Sequence, residues 1–211
     1  MDREIEIDLA RRLIAGDAGA FDRFVEHFQT KIFRHAWLMC RNREDAEEVA
    51  QEALLRVFEK FDQLKTPERV RPWVFQIARN ECLMKRRRSI FAPERELSLE
   101  ELMPVREMRD GGFRIEIADW SILPENEVLQ SEMRGVLADA IAALPDNYRP
   151  VILLRDMEEM STEETAQILG LSEDVVRTRL HRARLALRKD LDRYFRAHPA
   201  GKSATKEEGK E

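Results

Sequence analysis

The sequence predicts an all-α protein of two small helical domains joined by a flexible linker. Three observations predict it. Apolar residues recur at i, i+3 and i+4 through most of the chain, the period of a helix with one buried face. Pro93, Pro104, Gly111, Gly112 and Pro124 interrupt one long stretch that lacks this period. A later run, Ser161 to Arg188, has the layout of two helices joined by a tight turn.

Composition agrees with that class. Of 211 residues, 36% are charged and 7% aromatic, which suits helices with solvated outer faces. No apolar run approaches the length of a membrane span, and the N-terminus has no signal-peptide pattern, so a cytoplasmic protein without membrane insertion is expected. Cys40 and Cys82 have neither CxxC spacing nor paired histidines nearby, so two packed thiols are expected, with no metal or cofactor. No glycine-rich phosphate loop and no nucleophile–base pair stands out, so the chain does not read as an enzyme. The net charge is −5, whereas phosphate neutralisation favours a basic protein. A DNA-reading helix on an acidic chain implies that something else helps to hold it on DNA.

In chain order, residues 1–8 read as a short, loosely ordered lead, and the first domain is placed at 9–88. Leu9, Leu13 and Ile14 mark a first helix. Phe21, Phe24, Val25, Phe28, Ile32, Phe33, Ala36 and Trp37 mark a second, with a break around Gly16–Gly19. Asp45 to Phe61 is the clearest amphipathic helix. Ala46, Val49, Ala50, Ala53, Leu54, Val57, Phe58 and Phe61 form its apolar side. Glu47, Glu48, Gln51, Glu52 and Glu59 form the other side, with Leu55 in their midst; an exposed leucine there points to an interface.

Asp62 to Arg71 reads as a loop, and Pro72 suits a helix start. The helix that follows carries Trp73, Ile77, Asn80 and Met84 and ends in Lys85-Arg86-Arg87-Arg88. From Arg71 to Arg88 there are six basic residues and one acid, Glu81, a pattern that suits a nucleic-acid backbone. The linker at 89–130 is acidic, and Phe113–Ile117 alternates as an extended segment would. The second domain is placed at 131–196. A helix returns from Ser131 through Val136, Leu137, Ala140, Ile141 and Leu144 to Pro145, and another covers Tyr148 to Met157. The tail, 197–211, is polar and reads as disordered.

The second domain carries the sharpest motif. Ser161 with Glu164 forms a capping box that opens one helix, and Gly170 suits the left-handed residue that ends it. Ser172 caps the next helix, with Glu173 and Asp174 in its first turn. Val176, Leu180, Ala183 and Leu187 form a buried stripe. Asp174, Arg177, Thr178, His181 and Arg182 fall on the opposite face, where a helix-turn-helix meets a major groove.

Taken together, the order of parts resembles an extracytoplasmic-function sigma factor of the bacterial sigma-70 family. NREDAEEVAQEALLRVFEKF at 42–61 resembles region 2.2, and RPWVFQIARNECLMKRRR at 71–88 resembles regions 2.3 and 2.4. Residues 141–191 resemble region 4. There is no sign of the middle region-3 domain of larger sigma factors. The family often has Gly-Thr at the start of the reading helix, where this chain has Asp174-Val175.

The resemblance implies a promoter-specificity subunit. It implies that Glu48, Gln51, Glu52, Leu55 and Glu59 contact core RNA polymerase. It implies that the 62–71 loop and the next helix act on the −10 promoter element, with Arg71, Trp73, Arg79, Asn80 and the 85–88 run as contacts. Arg177, Thr178, His181 and Arg182 would read the −35 element. The family also implies an anti-sigma partner, and a linker that threads through the polymerase. The alternative is a stand-alone helix-turn-helix regulator whose N-terminal helices sense a ligand.

Overall fold

A computed structural model of the chain describes residues 2–17, 19–89 and 127–197, without the side chains of 86–89, 127–132 and 197. Among the described residues there are helices and turns but no strand. The N-terminal domain holds α1 (Asp2–Ile14), α2 (Ala20–Cys40), α3 (Arg43–Glu59) and α4 (Val70–Ser89). The C-terminal domain holds α5 (Glu127–Ala143), α6 (Arg149–Ile152), α7 (Thr162–Leu169) and α8 (Glu173–Ala197).

Local chemistry sets the helix ends. Asn42 opens α3, its Oδ1 accepting from the Asp45 amide at 3.0 Å. Arg41, at φ 60°, closes α2 in the left-handed conformation. The Ser161–Glu164 capping box forms in full, with both bonds made, at 3.0 and 2.8 Å. Gly170 ends α7 at φ 66°, a conformation that a side chain would strain.

In the N-terminal core, Phe24, Phe28, Ile32 and Ala36 of α2 meet Ala46, Val49, Ala53 and Val57 of α3 and Val74, Phe75 and Ala78 of α4. In the C-terminal core, Val176, Leu180 and Ala183 of α8 pack on the residues of α5 to α7. The two cores are continuous, and α7 lies against α4.

Four features differ from the sequence reading. Residues 1–8 are not a loose lead: α1 begins at Asp2 because Glu6 is fully buried and ion-paired while Leu9 and Ala10 pack beneath it. A carboxylate gives no apolar signal, so the first turn escaped the periodicity. The 62–71 segment is not an open loop. It forms two 3-10 turns, Phe61–Gln63 and Pro67–Arg69, and α4 starts at Val70 rather than Pro72. The helix after the linker starts at Glu127, four residues before Ser131.

The expected Tyr148–Met157 helix is split. It is one α turn followed by a π turn, Leu153–Met157. Its Arg149 is buried and donates to the carbonyls of Ile141, Ala142 and Leu144 near the end of α5, and to Met39 near the end of α2. A guanidinium there satisfies helix-terminal carbonyls and complements two helix dipoles at once. The extended segment expected at Phe113–Ile117 and the tail from 198 lie outside the described residues.

Candidate nucleic-acid interface

The outer face of α8 is set by the packing of its inner face. Burial of Val176, Leu180 and Ala183 leaves Arg177, Thr178 and His181 exposed, with Arg182 half-buried beside them. The structure thus brings together the four residues expected to read a groove. Arg177 is engaged on its own helix, donating to Asp174 at 2.6 Å and Glu173 at 2.7 Å. Arg184 points elsewhere and makes a two-point bond to Asp156 at 2.9 and 2.6 Å. Sequence reading placed Asp174 on this face; that it grips Arg177 emerges only from the geometry.

The basic helix α4 presents a mixed surface. Asn80 is exposed. Trp73 is half-buried and meets the edge of Phe61, ring centroids 5.8 Å apart, which fixes the indole beside the first 3-10 turn. Burial holds the half-buried Arg79 guanidinium below its usual value. Arg71 is committed inward. It donates to both Glu6 oxygens at 2.6 and 2.8 Å and to the Glu158 carbonyl at 3.1 Å. Burial alone would raise the Glu6 carboxyl, but Arg71, Lys31 and His27 around it hold it below the usual carboxylate range. Lys85 bridges to Asp45 and Glu48 of α3. The side chains of Arg86, Arg87 and Arg88 lie outside the described residues.

On α3, Glu48, Gln51, Glu52, Leu55 and Glu59 are all exposed and share one side of the helix. The sequence reading missed a sixth member. Phe58 was assigned to the buried stripe but is 60% exposed, touching Phe21 edge-on at 4.9 Å. It follows Leu55 by three residues, so the spacing carried the signal, but a phenylalanine beside Val57 reads as core. Cys40 and Cys82 are thiols, Cys82 buried. Among the described residues no cluster of His, Cys, Asp and Glu could hold a metal ion, and no helix is long and apolar enough to cross a membrane.

These surfaces coincide with family boundaries. The model for sigma-70 region 2 matches residues 24–89, and that for sigma-70 region 4 matches 134–187. The chain is 31% identical over 179 residues to the ECF RNA polymerase sigma factor SigW of Bacillus subtilis, a match spanning 83% of this chain and 91% of that one. It is 30% identical over 179 residues to the ECF RNA polymerase sigma-E factor of Haemophilus influenzae, spanning 83% and 89%. The fold is similar to that of the sigma factor RpoE in its co-crystal with the anti-sigma factor NepR from Bartonella quintana. That likeness has a TM-score of 0.57 at 20% identity and spans 82% of this chain and 96% of that one. CnrH, solved with the cytosolic domain of CnrY, gives a TM-score of 0.59 at 24% identity, over 90% and 98%.

Fold and surfaces therefore define a two-domain sigma-70 protein. More narrowly, the chain belongs to the extracytoplasmic-function sigma factors, and its function is that of a sigma factor of RNA polymerase.

Proposed function

We propose that this chain directs core RNA polymerase to promoters with paired −10 and −35 elements. The N-terminal domain, residues 9–88 with the α1 turn that precedes them, acts on the −10 element. The C-terminal domain, 131–196, reads the −35 duplex, and 89–130 is the acidic connection between them. The observation that carries this reading is the outer side of α3, an acidic face with Leu55 and Phe58 more than half open to solvent. Such a face on a rigid helix fits a large protein partner.

On α4 the roles divide by what each side chain is free to do. Asn80 and Trp73 are placed to meet melted DNA. Arg79 lends partly desolvated charge. Arg71 acts mainly by fixing α1 to α4 through Glu6. On α8, Arg177, Thr178, His181 and Arg182 supply base and phosphate contacts, with Arg177 released from its acids on binding. The protein works in the cytoplasm, catalyses nothing itself and is restrained by an anti-sigma partner, as the sigma factor RpoE of Bartonella quintana is captured with its own.

Reconstitution with core polymerase tests this. Purified chain plus core should start transcripts at a discrete set of genomic sites that share two spaced motifs. A chain that shifts promoter duplex equally well without polymerase and starts no transcripts would point instead to a stand-alone regulator. Co-purification from unstressed cells should recover a small stoichiometric partner; recovery only free or on polymerase would remove the anti-sigma part.

A further inference from the structure

At the start of α8, where the family often has Gly-Thr, this chain has Asp174-Val175. Val175 is a large apolar side chain that the fold leaves 37% exposed. Its neighbour Val176 is fully buried, so the helix turns Val175 away from the core. Thr178 follows Val175 by three residues and Arg182 by seven, which sets the three along one stripe of α8. Thr178 is exposed and Arg182 half-buried. Val175 therefore stands on the reading side of the helix, in the N-terminal part that meets base edges in a helix-turn-helix.

The first turn of α8 is unsuited to a phosphate. A helix N-terminus attracts anions through its free amides and its dipole. Here the Val175 amide donates to the Ser172 Oγ at 3.4 Å, and Glu173 and Asp174 put two carboxylates into the same turn. A DNA backbone brought to this end meets repulsion, whereas base edges carry no formal charge. Most of what a major groove displays is hydrogen-bond donors and acceptors, and a valine laid over those strips their water without replacing it. The thymine 5-methyl is the apolar group on that surface. It is the partner that a branched hydrocarbon side chain can cover at no polar cost.

We infer that Val175 is a specificity-determining residue that seats the 5-methyl group of one thymine in the −35 duplex. The inference rests on the −35 reading of α8 given above and adds a base to it. Arg177 and Arg182 suit guanine edges or phosphates, while Val175 requires an A·T pair with its thymine turned toward α8. Discrimination at that pair comes from one methyl group and from no hydrogen bond. It is therefore abolished by removing the methyl, and it is indifferent to salt, since no phosphate charge is neutralised.

The test uses the full chain bound to core polymerase. This complex first selects from promoter duplexes randomised across the −35 segment, and a thymine should be fixed at one position. In the selected promoter each −35 thymine is then replaced in turn by deoxyuridine, which pairs alike and lacks only the methyl. At one position the replacement should weaken wild-type binding by about three- to fourfold, the scale of one buried methyl group. With Val175→Ala the parent promoter should bind more weakly by a similar factor, and the uracil replacement should then cost nothing more. Alanine at an exposed helical position keeps the helix. The slope of affinity against salt should be the same for both proteins.

A uracil penalty of equal size in wild type and Val175→Ala overturns the assignment, because the methyl is then felt by another residue. So does a −35 element in which no thymine is sensitive to loss of its methyl. A shallower salt slope in the variant also overturns it, since that result places a phosphate beside Val175. If the selection enriches no −35 motif at all, the −35 reading of α8 itself fails, and that result is distinct from an enriched motif that accepts uracil throughout.

Discussion

Replacing Leu55 and Phe58 of α3 by serine should detach the protein from core polymerase while leaving it folded. Leu55 is 51% exposed and Phe58 60% exposed in the free chain. Fully burying such side chains is worth about 1.5–3 kcal/mol each. The exposed share still to be buried is therefore about 0.8–1.5 kcal/mol for Leu55 and about 0.9–1.8 kcal/mol for Phe58. Together they give about 2–3 kcal/mol, a loss of about 30- to 150-fold in Kd. The cost to the fold is smaller, since Phe58 forfeits one edge contact with Phe21, worth about 0.5–1.5 kcal/mol. Competition of the double variant against labelled wild type for core polymerase reads the Kd, and urea unfolding reads the fold. A double variant that unfolds at native urea and binds within about threefold of wild type would refute the argument, because the estimated loss of apolar area leaves no room for that result.

Three further outcomes follow from named contacts. Asp174→Ala should strengthen binding of the protein–polymerase complex to a −35 duplex by about two- to fivefold, the scale of one exposed ion pair, because Arg177 no longer has to leave the 2.6 Å bond; weaker binding would make Asp174 a base contact instead. Arg177→Ala and Arg182→Ala should each cost about 1–3 kcal/mol against the preferred −35 sequence and less against mismatched ones, whereas Arg184→Ala, whose side chain is held by Asp156, should be near neutral in the same titration. Asn80→Ala should slow promoter opening in permanganate footprints more than it weakens closed-complex binding, and normal opening would remove Asn80 from the melted-strand contacts.

What the sequence disclosed depended on whether a residue's neighbours lay close in the chain. The cap of α7, the glycine turn and the stripe of α8 are local and read directly, because each rests on residues within four positions of one another. The two-domain order and both family regions were legible for the same reason. Glu6 was not, since its partners Lys31 and Arg71 are 25 and 65 residues away. Arg149 was invisible too. Its value is to four backbone carbonyls, one of them 110 residues distant, and carbonyls leave no trace in a sequence pattern. Phe58 failed in the opposite way: its chemistry suggested a core, yet it stands 60% exposed with one edge contact to Phe21. Arg71 looked like a free cation because basic runs near prolines suit nucleic acid, and the structure shows it committed to Glu6.

His35 gives the fold a pH dependence that can be isolated. The ring lies fully buried between α2 and α4, edge-on to Phe75 at 5.3 Å, and neither ring nitrogen has a hydrogen-bond partner among the described residues. Burial, aided by the nearby charges of Arg34 and Arg79, pushes its pKa down to about 4. In the unfolded chain the same ring titrates near the ordinary histidine value of 6.5. Between those two values the unfolded chain binds a proton that the folded chain refuses. The contribution is therefore fully present above about pH 6.5 and is lost as pH falls toward 4. At about 1.36 kcal/mol per unit, the whole window amounts to about 3 kcal/mol. Glu6, held low by its cations, starts to cost stability only below the ordinary carboxylate range, and Glu158, raised by burial, acts with the opposite sign. Urea unfolding of wild type and His35→Leu between pH 7.5 and 5 separates the histidine from both. The variant should match or exceed wild type at pH 7.5, because two buried nitrogens without partners are removed, and its stability should stay nearly flat where that of wild type declines. Parallel slopes for the two proteins over that range would show that His35 is protonated at no extra cost, and that the ring is not sealed from water as its packing implies.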